Sequence, residues 1–292
     1  MTVVMQRDPL LVDPPARRGF DPRRVVVYLL LIAGVAFILI PFLWMVSTSL
    51  KTQDQLFVRG LNLLPNPAVP GNYLEVWNRL LSINPQMTFW RIMGNTLFIT
   101  VLAMVGEITS ASLVAYGFSR FRWRGRDALF AVMLATIMIP GIVTRVPGFL
   151  IWRQLGLLDT YDPLTWPSLF AWGPLYVFLM RQFFMTIPRE IEEAALLDGC
   201  TPFSMLYRVM LSIVRPGVIT VGIYAFLNSW NEFLYAAVMT SRSELRTIPV
   251  GLYSFQIADI LLWGQLMAAA ILATVPVLVL YMLVQRFVVQ GL

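Results

Sequence analysis

The sequence lacks histidine and contains very little cysteine or lysine. Cys200 is its one cysteine, which excludes an intrachain disulfide and a cysteine metal cluster. The absence of histidine removes the usual general base and the commonest metal ligand. Lysine occurs once, at Lys51, and no G-x-x-x-x-G-K-[ST] motif surrounds it, so the chain has no P-loop. If ATP drives this protein, another subunit must bind it.

Charge is also scarce, and apolar residues dominate. The 292-residue chain is 58% hydrophobic and 13% charged, with a mean hydropathy of +0.71. These values indicate an all-α, polytopic membrane protein. The net charge of +6 comes from arginines dispersed among apolar runs, which indicates orientation signals and not a nucleic-acid-binding surface. A membrane-bound enzyme is disfavoured because no metal or nucleophile constellation is present, although Asp, Glu and Ser chemistry stays open.

The apolar runs predict six transmembrane helices. The predicted spans are residues 25–49, 92–118, 128–152, 164–184, 217–239 and 262–284. Each approaches or exceeds the roughly 20 helical residues needed to cross a hydrocarbon core of about 30 Å. Pro140 and Pro147 are expected to break the third span.

These spans define the predicted domain organisation. It consists of a cytoplasmic tail at 1–24, a first transmembrane helix at 25–49, an extracytoplasmic loop with short helices at 50–90, a transmembrane domain of five helices at 91–288, and a C-terminal end at 289–292.

The distribution of basic residues predicts the orientation. Most of the 22 lie in the N-terminal tail, in the loop SRFRWRGRD that starts at Ser119, around residues 186–216, or at Arg286. Lys and Arg beside a span favour the cytoplasmic side. We therefore expect both termini in the cytoplasm, together with the 186–216 segment between spans four and five.

The polar segment 186–216 interrupts two long apolar runs. Pro188 and the glutamates that follow it favour the start of a helix, and Gly199 favours its end. Thr201 is a candidate N-cap for a second helix that begins at Pro202. A simple surface loop between two spans is the alternative interpretation of such a pattern.

The spacing within this segment is more specific. Glu193-Ala194-Ala195 is followed by three residues, Gly199, nine residues and then Val209-Met210-Leu211. This pattern resembles the EAA loop of binding-protein-dependent ABC transporter permeases, with Ser212 in place of the family's proline. Other segments, in order, resemble the maltose-permease-like branch of carbohydrate permeases: NTLFIT from Asn95, LGLLDTY from Leu155, WNEF from Trp230 and QRFVVQGL from Gln285.

The resemblance implies a permease subunit of a carbohydrate ABC importer in the bacterial inner membrane. Its implied partners are a second, homologous permease in a heterodimer, two ATP-binding subunits and an extracytoplasmic solute-binding protein. ATP and Mg would be bound by those ATPase subunits, and this chain would be non-catalytic and hold no cofactor. In such permeases the EAA loop is a coupling helix that docks into a groove on the ATPase. The implied coupling residues are Glu193, Ala194, Ala195, Asp198 and Gly199.

The predicted substrate-pathway residues lie in the fifth span: Asn228, Trp230, Asn231 and Glu232. Polar groups are costly in hydrocarbon, so these side chains should face the bundle interior or a wet cavity, as should Asn95 and Glu107. Asn228 and Glu232 share one helix face, and the flat ring of Trp230 suits a sugar. The alternative is that such groups only hold helices together. Arg145 is expected near the outer membrane surface, where its side chain can reach water.

An ion-coupled secondary transporter is the alternative function. It would need no ATPase partner and typically has paired repeats or discontinuous helices around an ion site. No internal repeat is visible in this sequence, and an EAA loop would have no purpose in such a transporter.

Overall fold

A computed structural model describes residues 22–57, 62–257 and 260–290, which are mostly helical. The helices are α1 Pro22–Ser49, α2 Gln53–Leu56, α3 Gly71–Ile83, α4 Phe89–Arg120, α5 Arg126–Ala135, α6 Gly141–Gln154, α7 Asp162–Leu169, α8 Pro174–Met185, α9 Arg189–Leu197, α10 Pro202–Ser204, α11 Leu211–Ile213, α12 Arg215–Trp230, α13 Leu234–Met239, α14 Ile248–Tyr253 and α15 Trp263–Gln290. Shorter elements are the 3-10 turns Thr136–Met138 and Ser243–Leu245, a π-helical segment Met205–Met210, and two antiparallel strands, β1 Gln256–Ile257 and β2 Ile260–Leu261. The predicted all-α class is confirmed.

The chain divides into two compact units, residues 1–45 and residues 46–292. The described part of the first unit is the α1 helix as far as Met45. Its large apolar side chains are exposed, as expected for a helix surrounded by lipid. The predicted tail 1–24 lies almost wholly outside the described residues, and so does the end of the predicted C-terminal segment.

Three of the described helices are long and apolar enough to cross a membrane singly: Pro22–Ser49, Phe89–Arg120 and the Trp263–Arg286 part of α15. The other predicted spans are interrupted. Helix α6 follows the α5 segment at an angle of 98°, and the fourth and fifth predicted spans each consist of two helices, α7 with α8 and α12 with α13. The prediction for Pro140 is confirmed, because the helix is interrupted at Pro140 (φ −58°, ψ 125°), whereas the prediction for Pro147 was wrong, because α6 continues through it.

Helix α4 is the centre of the second unit and packs against α7, α8 and α12. It begins where the Thr88 hydroxyl accepts a hydrogen bond from Arg91 N at 3.2 Å. Gly106 lets α7 approach closely, because a Cβ at that position would lie 2.9 Å from Leu169 Cδ2 and 3.2 Å from the Ser168 carbonyl. The close packing of α4 thus depends on a residue without a side chain.

The described residues of the second unit form two apolar clusters. One joins α4 to α8, α12 and the π-helical segment, with Met180, Phe184 and Met210 fully buried. The other joins the α4 N-terminal part to α3, α12, α14 and α15. Helices α2 and α3 confirm the expected short helices between residues 50 and 90.

Candidate coupling segment and substrate cavity

The predicted helix–glycine–helix segment forms as α9, a turn and α10. Pro188 is the N-cap of α9 and not, as expected, its first-turn residue; Glu190 and Glu192 lie in that first turn. Gly199 has φ +81°, a conformation that side chains rarely adopt, and its N–H donates to Leu196 O at 3.0 Å. The Thr201 hydroxyl accepts from Ser204 N at 3.3 Å, which confirms the predicted cap.

The segment ends in a sharp bend instead of continuing into the next helix. The stretch Pro202–Ile213 and helix α12 meet at 87°. Ser212, which replaces the family's proline, stays helical in α11, and the bend falls at Val214. Pro216 then occupies the first turn of α12, where its missing N–H needs no partner.

Four of the five predicted coupling residues are exposed: Glu193, Ala194, Asp198 and Gly199. Ala195 differs, because it is buried in the first apolar cluster. Two apolar side chains at the tip of the segment are also exposed, Leu197 at 90% and Phe203 at 69%. The segment is therefore anchored through Ala195 and presents both carboxylate and apolar groups on its outer surface.

Arg120 anchors the same segment from the end of α4. Its Nε lies 2.7 Å from Glu192 Oε1, an ion pair in which the N–H is not aligned for a hydrogen bond. Its Nη2 donates to the carbonyls of Phe184 and Ile187, the latter at 2.9 Å. The Arg120 side chain is only 7% exposed. No pattern in the sequence predicts this contact, because Arg120 and Glu192 lie 72 positions apart, on different elements.

A cavity of about 400 Å³ lies between α4, α6, α7 and the α12–α13 break. Its volume falls within the range of small-molecule sites, roughly 300–1,000 Å³. Polar side chains in its lining are Thr144, Arg145, Ser168, Asn228, Ser229, Glu232, Tyr235 and Thr247, and indole rings come from Trp152 and Trp172. The lining therefore combines hydrogen-bonding groups with flat apolar surfaces.

Glu232 occupies the break between α12 and α13 and pairs with Arg145. Arg145 Nη1 donates to Glu232 Oε1 at 3.0 Å, and Nη2 donates to Oε2 at 3.1 Å. Tyr235 N also donates to Oε1, at 2.8 Å, so the carboxylate holds the start of α13. Arg145 was predicted to lie near the outer surface with its side chain reaching water; the side chain is 30% exposed and forms a bidentate ion pair with Glu232 in the cavity lining.

Tyr235 and Trp152 extend this network. The Arg145 guanidinium carbon lies 5.4 Å from the centroid of the Tyr235 ring, and the Tyr235 hydroxyl accepts a hydrogen bond from Trp152 Nε1 at 2.7 Å. Sequence reasoning missed Tyr235 and Trp152 as partners of Glu232. The available signals were the acidic residue of the WNEF motif and Arg145, the one charged residue within the predicted third span.

The structure separates the four predicted pathway residues. Asn228 and Glu232 both line the cavity. Trp230 instead packs in the second apolar cluster, stacked on Phe226 with ring centroids 5.4 Å apart. Asn231 is exposed, with its amide donating to Leu227 O at 2.8 Å. Two of these residues therefore share a site and the other two lie elsewhere.

The two other predicted interior polar residues are accommodated differently. Glu107 is buried in α4, at 5% exposure. Asn95 donates to the carbonyls of Glu244 at 2.8 Å and Arg246 at 3.0 Å, so its side chain attaches α4 to the segment after α13. Its role in this structure is structural, in line with the alternative that polar groups hold the elements together.

Comparison with known proteins identifies the family. Residues 107–292 match the family described as "Binding-protein-dependent transport system inner membrane component". The chain is 34% identical over 280 residues to the "Probable ABC transporter permease protein YurM" of Bacillus subtilis, covering 96% of this chain and 90% of that protein. It is 33% identical to the "Sulfoquinovosyl glycerol transport system permease protein SmoH" of Agrobacterium fabrum, covering 94% and 92% of the two chains.

A solved structure supports the fold. A chain of a bacterial ABC transporter for import of the acidic polysaccharide alginate superposes with a TM-score of 0.75 at 24% identity, covering 94% of this chain and 99% of that one. Sequence and fold therefore agree with the resemblance predicted from the EAA loop. The chain belongs to the family of binding-protein-dependent transport system inner membrane components, and it is a multi-pass membrane protein.

Proposed function

We propose that this chain is a permease subunit of a carbohydrate ABC importer in the bacterial inner membrane. It forms half of a translocation pathway and transmits the movement of separate ATPase subunits to that pathway. The observation that carries this proposal is the α9 segment, which exposes Glu193 and Leu197 while Arg120 and Ala195 anchor it to the transmembrane helices. Names of similar permeases, such as an arabinooligosaccharides permease and a trehalose/maltose permease, support a sugar substrate.

The proposed topology has six spans, both termini in the cytoplasm and α9 on the cytoplasmic side. The α5–α6, α7–α8 and α12–α13 pairs each count as one span beside α1, α4 and α15. Broken helices are tolerated at membrane depth where the freed backbone lies within protein or lines a wet cavity. Gly141 and Glu232, at two of these breaks, do line the cavity, which supports this assignment.

The proposed assembly contains a second, homologous permease, two ATP-binding subunits and an extracytoplasmic solute-binding protein. The family description, which names a binding protein, supports the last of these. ATP and Mg are held by the ATPase subunits, and this chain is non-catalytic. ATP binding closes the ATPase pair and drives alternating access, because ATP has different affinities for the two states of the transporter.

In this mechanism, α9 moves with the ATPase surface on which it docks. Exposed Leu197 and Phe203 bury apolar area there, and Glu193 provides a charge-assisted contact. The ion pair from Arg120 to Glu192 passes the displacement to α4, whose residues Ile99 and Ala103 line the cavity.

Co-purification from native membranes tests the proposal. The tagged chain should retain a P-loop ATPase and a second permease, identified by mass spectrometry. Gly199→Pro should release the ATPase while keeping the second permease, because proline cannot adopt φ +81° or donate to Leu196 O. Gly156→Pro is the matched control, since Gly156 also has positive φ (+70°) and donates to Arg153 O, but lies in the α6–α7 loop.

Two results would contradict the coupling role of α9. One is a wild-type chain that purifies well folded without an ATPase. The other is equal retention of the ATPase by the Gly199 and Gly156 variants. Either result would favour the alternative of an ion-coupled secondary transporter.

A further inference from the structure

The charge balance of the cavity points to the substrate class. Among the described residues that line the cavity, Arg145 and Glu232 are the only charged ones, and they are paired with each other. We propose that Glu232 neutralises Arg145 and thereby makes this half of the pathway select uncharged sugars over anionic ones. This inference rests on the proposed function and names the specificity-determining residue of its substrate site.

Glu232 is held in place independently of Arg145. Its Oε1 also accepts from Tyr235 N at 2.8 Å, at the first turn of α13. The Arg145 guanidinium is in turn positioned over the Tyr235 ring. That ring is held by Trp152, whose Nε1 donates a hydrogen bond to the Tyr235 hydroxyl. An incoming anion would therefore have to displace a carboxylate that is bonded to the backbone as well as to the guanidinium.

Displacement of that carboxylate has an electrostatic cost. If the pair stays intact, an approaching anion is attracted by Arg145 and repelled by Glu232. These two interactions nearly cancel. If the pair opens, Glu232 is left as a partly buried, unpaired charge. Either course disfavours an anionic ligand.

An uncharged sugar meets neither obstacle. Two N–H groups of Arg145 bond to Glu232, and a guanidinium has five, so donors remain for hydroxyl and ring oxygens. The side chains of Asn228 and Ser229 add polar groups to the same lining, and the indole of Trp172 offers an apolar face.

The test compares two matched probes. One is a neutral glucose disaccharide, and the other is the same disaccharide with its terminal glucose oxidised to glucuronate. Binding is measured by ligand-observed NMR on the complete transporter in nanodiscs without its solute-binding protein, so that the selectivity of the binding protein does not enter. ATPase retention is recorded on the same samples.

The wild-type transporter should bind the neutral disaccharide at least tenfold more tightly than the glucuronate. Glu232→Gln should raise glucuronate affinity by about tenfold to a hundredfold, the range expected for one charge-assisted hydrogen bond. Gln keeps an oxygen for Tyr235 N, so α13 should stay in place. The Arg145→Gln/Glu232→Gln double variant should lose the gained affinity, and Glu232→Asp should keep the wild-type preference.

Three results would overturn the inference: wild-type preference for the glucuronate or equal binding of both probes, an unchanged preference in Glu232→Gln, or binding of neither probe. Because ATPase retention is measured separately, these results leave the permease assignment standing wherever the ATPase is still bound. Loss of the ATPase from the wild-type sample would instead contradict the proposed function.

Discussion

Arg120 Nε lies 2.7 Å from Glu192 Oε1, joining the end of the central helix α4 to the first turn of α9. The same guanidinium bonds to the carbonyl of Ile187, immediately before α9. An arginine at this position thus holds both the start of α9 and the turn before it. A rigid connection of this kind is required if movement of α9 is to reach the cavity.

The first prediction concerns this connection. Arg120→Gln should reduce the free energy of unfolding by roughly 3 kcal/mol, because it leaves a mostly buried carboxylate without its partner. ATPase stimulation by substrate should fall further than ATPase retention, since α9 remains present but is poorly held. Thermal denaturation and ATPase assays of the complex in nanodiscs measure both effects.

Arg122→Gln is the control for that variant, because Arg122 lies two residues further along, in the loop after α4, and is exposed. Arg122→Gln should leave the free energy of unfolding within about 0.5 kcal/mol of wild type. ATPase stimulation by substrate should also match wild type. Glu192→Gln should be milder than Arg120→Gln, since the carbonyl contacts of Arg120 persist. Equal effects of the Arg120 and Arg122 variants would show that the ion pair has no positioning role.

The second prediction concerns the apolar tip of the segment. Leu197→Asp should weaken binding of the ATPase by at least 2 kcal/mol, or about thirtyfold, if Leu197 is buried at that interface. Stability of the isolated permease should hardly change, because the side chain is 90% exposed. Leu64→Asp, at a position 83% exposed in the loop between α2 and α3, is the control and should bind the ATPase normally. Titration of purified ATPase onto each variant gives the comparison.

The third prediction concerns close packing at α4. Gly106→Ala should destabilise the protein by about 1–3 kcal/mol, because its Cβ would press on Leu169 and on the Ser168 backbone, which cannot move aside. Gly117→Ala on the same helix has open space around the new Cβ and should be neutral or stabilising by roughly 0.5–1 kcal/mol. Thermal unfolding in detergent compares the two. A Gly106 variant as stable as the Gly117 variant would contradict the described approach of α7.

The fourth prediction concerns the loop residue Asp159. Its carboxylate accepts hydrogen bonds from Ser241 Oγ at 2.7 Å and Arg242 N at 3.0 Å, and these contacts lower the pKa of Asp159 below its ordinary value. The Asp159 carboxylate is therefore protonated less readily in the folded protein than in the unfolded chain. The stabilisation is complete above the ordinary pKa of about 3.9 and is lost as pH falls through the lowered folded value.

Asp159→Asn isolates this charge effect. Asparagine tolerates the backbone φ of +57° at this position, so the turn should be kept while the charged acceptor is lost. The variant should be less stable than wild type by no more than about 1 kcal/mol near neutral pH, and the difference should shrink progressively as the pH falls below about 4, towards the lowered folded pKa of Asp159. Melting temperatures between pH 3 and pH 7 provide the test. A constant difference across that range would rule out a charge contribution.

Local signals in the sequence determined much of this protein. Apolar runs predicted the long helices α4 and α15, since a helix is the economical way to satisfy backbone groups in lipid. Gly199 and Thr201 marked the end of α9 and the start of α10, because positive φ and N-capping depend on single residues. The EAA spacing, read with the other segments, identified the family before any contact was known.

The tertiary structure decided which distant residues meet. The pairs Arg145–Glu232 and Arg120–Glu192 join elements 87 and 72 positions apart, and no periodicity within either element indicates its partner. Helix α12 ends at Trp230, so Asn228 and Glu232 lie on either side of a break and do not share one continuous helix face. The side chain of Trp230 packs in the second apolar cluster and does not face the cavity. The direction of a side chain next to a helix end depends on which neighbouring elements pack against it.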